Sequence, residues 1–165
     1  MKTTVDLVRI AIDRSALKTT MICSSVLLLK MMVANFMIGG ARIKAGTRPP
    51  EDQKLFPDEG YQSFLGRDEE KENQEAKEME QRCIRIGLND LENIPISLIV
   101  NWGCLLTCYS VRVHIWMTIA FTIGRILHHI TYYKKMQPHR ALAWFLAWVA
   151  MFGFTINGVI GAIYL

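Results

Sequence analysis

Arginines recur at three places where this chain is apolar or about to become so. In "RCIRIGLNDLEN", Arg82 to Asn93, the residues Arg82, Arg85, Asn89 and Glu92 follow one another at spacings of three, four and three. That spacing puts all four on one face of a helix. "GRILHHITYY" repeats the pattern with Arg125, His128 or His129, and Tyr132, and "QPHRALAW" sets Arg140 just inside a helix start marked by Pro138. Arginine forks bind carboxylates bidentately, and a carboxylate such as Glu92 can hold an ammonium. The plainer reading is that these are interfacial anchors and helix–helix ion pairs, since arginine near a helix end snorkels to the headgroups. Arg125 resists it. About 10 Å of helix rise separates it from the following loop, and a guanidinium at that depth requires a buried carboxylate or a polar ligand. Glu92 is the expected carboxylate; Asp90 and Asn93 fall on other faces.

The elements that must carry these stripes are long and apolar. Three blocks hold most of the hydrophobic residues: Thr19 to Ala41, Ile94 to Tyr133 and Ala141 to Leu165. A bilayer-spanning helix needs about 20 such residues, so the middle block, about twice that length, folds back as two spans. "TCYSVR", Thr107 to Arg112, is the expected turn although it contains neither Gly nor Pro. The fold class is therefore all-α: one integral membrane domain, a four-helix bundle with spans near 15–42, 83–108, 111–133 and 140–163 and a loop over 43–82. A soluble bundle would show polar faces at helical spacing, whereas "ALAWFLAWVAMFGF", Ala141 to Phe154, is apolar all round.

The formal charge of +4 excludes little. Basic residues concentrate in the first loop and in "KKMQPHR", Lys134 to Arg140, which an even number of spans places on one side. The positive-inside rule makes that side cytosolic and both termini lumenal. The first loop opens with Pro- and Gly-punctuated "AGTRPPEDQKLFPDEG" and closes with the helix-forming run "RDEEKENQEAKEMEQR", which extends the second span into the cytosol. The N-terminal segment lacks a cleavage site, so the first span is expected to act as an uncleaved anchor. Cys23, Cys83, Cys104 and Cys108 fit neither a zinc nor a disulfide framework. Nucleotide- and nucleic-acid-binding motifs are also missing, and no metal is expected.

A small zwitterion with more than one carboxylate suits the charged stripes. Glutathione has this chemistry, and an arginine near its thiol would favour the thiolate; from spacing alone another polar solute fits as well. "RIGLNDLENI", "GRILHHITYY" and "QPHRALAWF", supported by "LLLKMM", "PPED" and the terminal "YL", resemble the microsomal glutathione transferase branch of the MAPEG membrane proteins. The resemblance touches all four spans in order and omits mainly residues 43–80. It implies a homotrimer with sites between neighbouring subunits, in the endoplasmic reticulum membrane, with the mitochondrial outer membrane as a second address. It further implies that Arg140 stabilises the thiolate while Arg42, Arg85, Asn89, Glu92, Arg125, His128 and Tyr132 bind glutathione. The activity implied is conjugation of glutathione, the co-substrate, to lipophilic electrophiles entering from the bilayer, with reduction of lipid hydroperoxides beside it.

Several positions depart from the branch. Ile84 and Gly87 stand where an arginine and a histidine are usual, and "RCIR" is similar to the prostaglandin E synthase branch. Leu88 and Ala141 differ from that branch and favour the general transferase, and Gln53 replaces a loop cysteine. The alternatives are a prostaglandin E synthase-type isomerase and a non-catalytic lipid-binding member of the family.

Overall fold

The computed structural model describes residues 12–55, 57–65 and 71–164. The N-terminal segment through Ala11 and the first residues of the helix-forming run, 67–70, lie outside them. Among the described residues are four long helices and no strand: α1 (Arg14–Ala45), α2 (Lys71–Thr107), α3 (Val111–Tyr133) and α4 (His139–Ile163). Two short 3₁₀ turns, Pro50–Lys54 and Pro57–Glu59, lie in the first loop.

Each boundary has a local cause. Asp13 caps α1 by accepting from the backbone N–H groups of Ser15 and Ala16 at 2.8 and 3.0 Å. Gly46 ends the helix at φ 69°, a left-handed conformation that glycine adopts without steric cost. The loop then folds back, with buried Gln62 donating to the Ile43 carbonyl at 3.3 Å and Ser63 N–H donating to the Gly46 carbonyl at 2.9 Å. α2 runs unbroken from Lys71, so the polar residues before Arg82 and the apolar segment after Glu92 form one rod.

The turn between α2 and α3 is held from a distance. Asn157 of α4 accepts from Ser110 N–H at 2.9 Å and donates to the Ser110 carbonyl at 3.1 Å. Thr107 Oγ1 also donates to the Gly158 carbonyl at 2.9 Å. A side chain at Gly161 would collide with the Thr107 carbonyl, so α4 can approach this turn only through glycine. A turn without Gly or Pro is thus completed by the last helix.

Leu27, Ile94, Phe121, Ala147, Ala150 and Phe154 bring all four helices into one core. Phe121 and Phe154 meet edge to face with centroids 6.0 Å apart. A band of neutral polar pairs crosses the half of the bundle near the α2–α3 turn. His114 Nε2 lies 2.9 Å from Thr20 Oγ1, Asn101 donates to Thr118 Oγ1 at 2.9 Å, and Trp102 donates to Ser24 Oγ at 3.1 Å.

Outside the core the surface is apolar. Leu28, Leu29, Val33 and Phe36 of α1 and Phe145, Phe152 and Ile156 of α4 are exposed. By length and composition α1 and α4 are apolar enough to cross a membrane, and most of each stretch faces outward, unlike a soluble core helix. α2 and α3 carry most of the interior polar residues, whose packing against the other helices shields them from lipid.

Candidate functional site

At the end of the bundle opposite the α2–α3 turn, α2, α3 and α4 enclose a cleft of about 460 Å³. Its walls include Arg82 and Arg85 from α2, Tyr132 from α3 and Arg140 from α4, with Lys77 and Glu78 at the polar extension of α2. Tyr132 organises the cations. The Arg140 guanidinium sits 4.7 Å from its ring centroid and that of Arg82 sits 6.0 Å away. Arg82 Nη1 donates to the Tyr132 carbonyl at 3.4 Å. The His128 ring packs on Tyr132 edge to face at 5.6 Å. Gln137, with its amide oxygen turned inward, accepts from Arg140 Nε at 3.0 Å and from Nη2. The cleft therefore has positive walls and one aromatic floor, a form suited to an anion.

Behind it lies a buried ionic network. Arg125, 1% exposed, donates from Nη2 to Asp90 Oδ1 at 2.8 Å. The same nitrogen reaches Asn89 Oδ1 at 2.8 Å and the Asn89 carbonyl at 3.1 Å. Lys30 of α1 pairs with the other oxygen of Asp90. One carboxylate thus holds two cations from two helices, and Asn89 supplies the remaining acceptors. Arg125 Nε and Nη1 and His128 Nδ1 are buried without a partner among the described residues.

These positions sort the expected residues. Arg85, Tyr132 and Arg140 share the cleft. Asn89 and Arg125 form the network behind it, and His128 joins the two through Tyr132. Arg42 is elsewhere, half-exposed, 3.7 Å from Glu80 and lining a neighbouring hollow of about 500 Å³.

Glu92 requires a correction. It was expected to pair with Arg125, but it is exposed and borders neither cavity; Asp90 takes that place. The buried stripe of α2 runs through Cys83, Ile86, Asp90, Ile94, Ser97 and Asn101, and Glu92 shares the outer face with Leu88, Ile96 and Ile99. Extending that apolar stripe, rather than the charged one, points to Asp90. Lys30, inside "LLLKMM", and Arg82 are the other contributors that the site assignment missed. At Gly87 a Cβ would lie 2.8 Å from Ile38 Cδ1, so this position serves the α1–α2 contact, and a histidine there would displace Ile38.

No group of His, Cys, Asp or Glu able to hold a metal occurs among the described residues. Four helices with a lipid-compatible exterior and an arginine-rich cleft at one end define a membrane helix bundle with a polar cleft. Residues 20–160 match the model of the MAPEG family, and the chain belongs to that family. The family includes membrane glutathione transferases and isomerases, and its members typically use glutathione. A comparison with individual curated proteins finds no match.

Proposed function

We propose that the protein is a membrane glutathione transferase of the microsomal type, joining glutathione to lipophilic electrophiles and reducing lipid hydroperoxides. The observation that carries this reading is the cleft in which Arg82 and Arg140 flank Tyr132, with Arg85 on the same wall. The arginines supply forks for the two carboxylates of the tripeptide. Arg140, at the first turn of α4, stabilises the thiolate, and the α4 helix start adds a favourable dipole. The thiolate attacks an electrophilic carbon, the S–C bond forms, and the leaving group departs with its electron pair. With a hydroperoxide the thiolate attacks the terminal oxygen and the alcohol leaves. A second glutathione then reduces the sulfenate, giving disulfide and water.

The lipophilic partner reaches this point along α4. Trp144, Trp148 and Phe152 follow Arg140 at spacings of four, with tilted rings whose centroids lie 5.4 and 5.6 Å apart. That stripe offers an aromatic wall leading from the bilayer to the guanidinium.

Arg42 and Glu92 face outward in the single chain, so their part in binding depends on a second copy. In a homotrimer with sites between subunits, each would complete a neighbour's cleft. On this reading the protein sits in the endoplasmic reticulum membrane with the cleft toward the cytosol, where glutathione is supplied.

The test is ultraviolet difference absorbance of the purified protein titrated with glutathione. A thiolate band at neutral pH is expected, and it should vanish in Arg140→Ala. A wild-type protein that binds glutathione without the band would refute the assignment of Arg140.

A further inference from the structure

A crevice separate from the cleft lies between α3 and α4 and opens on the outer face of the bundle. It encloses about 490 Å³ and its surface is almost entirely apolar. Leu127 and Ile130 form one wall, Leu142 and Leu146 the other, and Lys134 and His139 stand at the mouth. The inner end is closed where α3 and α4 touch. A Cβ at Gly124 would lie 3.0 Å from the Ala147 nitrogen and 3.2 Å from the Ala143 carbonyl oxygen. From Leu127 to Lys134 the groove follows about 10 Å of helix.

The mouth is built by backbone bonds. α3 ends with Lys135 in the left-handed region at φ 61°, and Met136 N–H donates back to the Thr131 carbonyl at 2.9 Å. This closure sets Met136 against the apolar walls and leaves Lys134 at the mouth, with Lys135 exposed and next to it in the chain. The segment from Lys134 to Arg140 holds two lysines, a histidine and an arginine, and no acid. Lys134, Lys135 and His139 make no ion pair among the described residues.

We infer that this crevice binds an anionic phospholipid from the leaflet on the side of the cleft, its acyl chain between α3 and α4 and its phosphate at Lys134 and Lys135. An apolar slot explains the chain, and an unneutralised basic rim at the membrane boundary explains the headgroup. A basic loop alone would attract anionic lipid diffusely. The slot beneath it makes the attraction stoichiometric.

The experiment is native mass spectrometry of the full-length protein. It is released from vesicles of phosphatidylglycerol and phosphatidylcholine with the same acyl chains. The expected result is one phosphatidylglycerol retained per chain in preference to phosphatidylcholine. Lys134→Gln with Lys135→Gln should lower that preference by about five-fold per lysine. Leu146→Trp, filling the slot from a partly exposed position, should reduce retention of both lipids, and Leu127→Trp should do the same from the opposite wall. Equal retention of the two lipids by the wild type, or a preference unmoved by the lysine changes, overturns the inference. So does a change in subunit stoichiometry in both Trp variants with lipid retention intact, which would mean that a second copy covers the crevice. Glutathione thiolate absorbance, measured in parallel, reports on the separate cleft.

Discussion

The two ends of this bundle solve the same problem differently. Near the α2–α3 turn the buried polar groups are neutral and meet in short pairs: Thr20 with His114, Asn101 with Thr118, Asn157 with the Ser110 backbone. At the other end they are charged, and one carboxylate, Asp90, serves both Lys30 and Arg125. The neutral end fastens helices and turn. Among the described residues the neutral end leaves one buried atom each on Asn101 and His114 unpaired, whereas the charged end leaves three guanidinium nitrogens, Arg82 Nε and Arg125 Nε and Nη1, without partners. Such a surplus is costly as architecture. A surplus of donors beside a cavity lined by further arginines is what an anionic ligand would relieve.

The largest effect should come from removing the shared carboxylate. Asp90→Asn keeps the shape but leaves Lys30 and Arg125 uncompensated, and truncating one partner of a buried ion pair costs about 3–5 kcal/mol. Thermal unfolding in detergent should show a strong loss of stability. Lys30→Met sharpens the comparison: Asp90 would still pair with Arg125, so that variant should stay close to wild type. Equal damage from both changes would mean that Asp90 does not carry the network.

Arg140→Ala comes next and acts on chemistry. Raising the thiol pKa of bound glutathione by about two units would leave roughly a hundredth of the thiolate when both values lie above the assay pH, about 2.7 kcal/mol. The sign is fixed: turnover at neutral pH falls and recovers as pH rises. Arg140→Lys should rescue only in part, because an ammonium supplies charge without the planar fork. A variant with unchanged neutral-pH turnover and thiolate absorbance would end the mechanism.

A smaller effect separates a site within one chain from a site shared between chains. Arg42→Ala and Glu92→Ala should each raise KM for glutathione about tenfold, ~1.4 kcal/mol, with kcat little changed, if a neighbour's cleft uses them. Mixed trimers carrying one variant subunit should then lose about a third of the high-affinity sites. An unchanged KM in both variants would confine the site to α2, α3 and α4 of a single chain.

How much of this was legible in the sequence depended on which periodicity carried the information. Long apolar blocks made the helices readable, and spacing marked Arg85 on α2 and Tyr132 on α3 as Pro138 marked Arg140 at the start of α4. The topology set them on one side, and the resemblance to the transferases joined them in one site. Asp90 was missed because two stripes coexist on α2. The charged one through Arg82, Arg85 and Asn89 leads on to Glu92, while the packed one through Ile86 and Ile94 leads to Asp90. Which stripe faces inward is decided by the other helices, not by α2. The turn after Thr107 lacked the usual residues for a similar reason: its clamp, Asn157, is 47 residues away from Ser110. Sequence spacing reads one helix at a time, and this site depends on four.

The smallest effect tests the neutral end. Thr20→Val preserves shape and removes the one hydroxyl that meets His114 Nε2. Side-chain hydrogen bonds between membrane helices average about 0.6 kcal/mol, because the separated helices find other partners. The unfolding midpoint should therefore drop slightly, and KM, kcat and thiolate absorbance should not move, since nothing in the cleft touches this pair. The contrast with Asp90→Asn is the informative quantity. If Thr20→Val proved as damaging as Asp90→Asn, the neutral band would be as essential to the bundle as the ionic network. If it altered glutathione binding, the two ends would be coupled through α1, which carries both Thr20 and Lys30. A small loss of stability with intact chemistry would leave one end as the fastening and the other as the site.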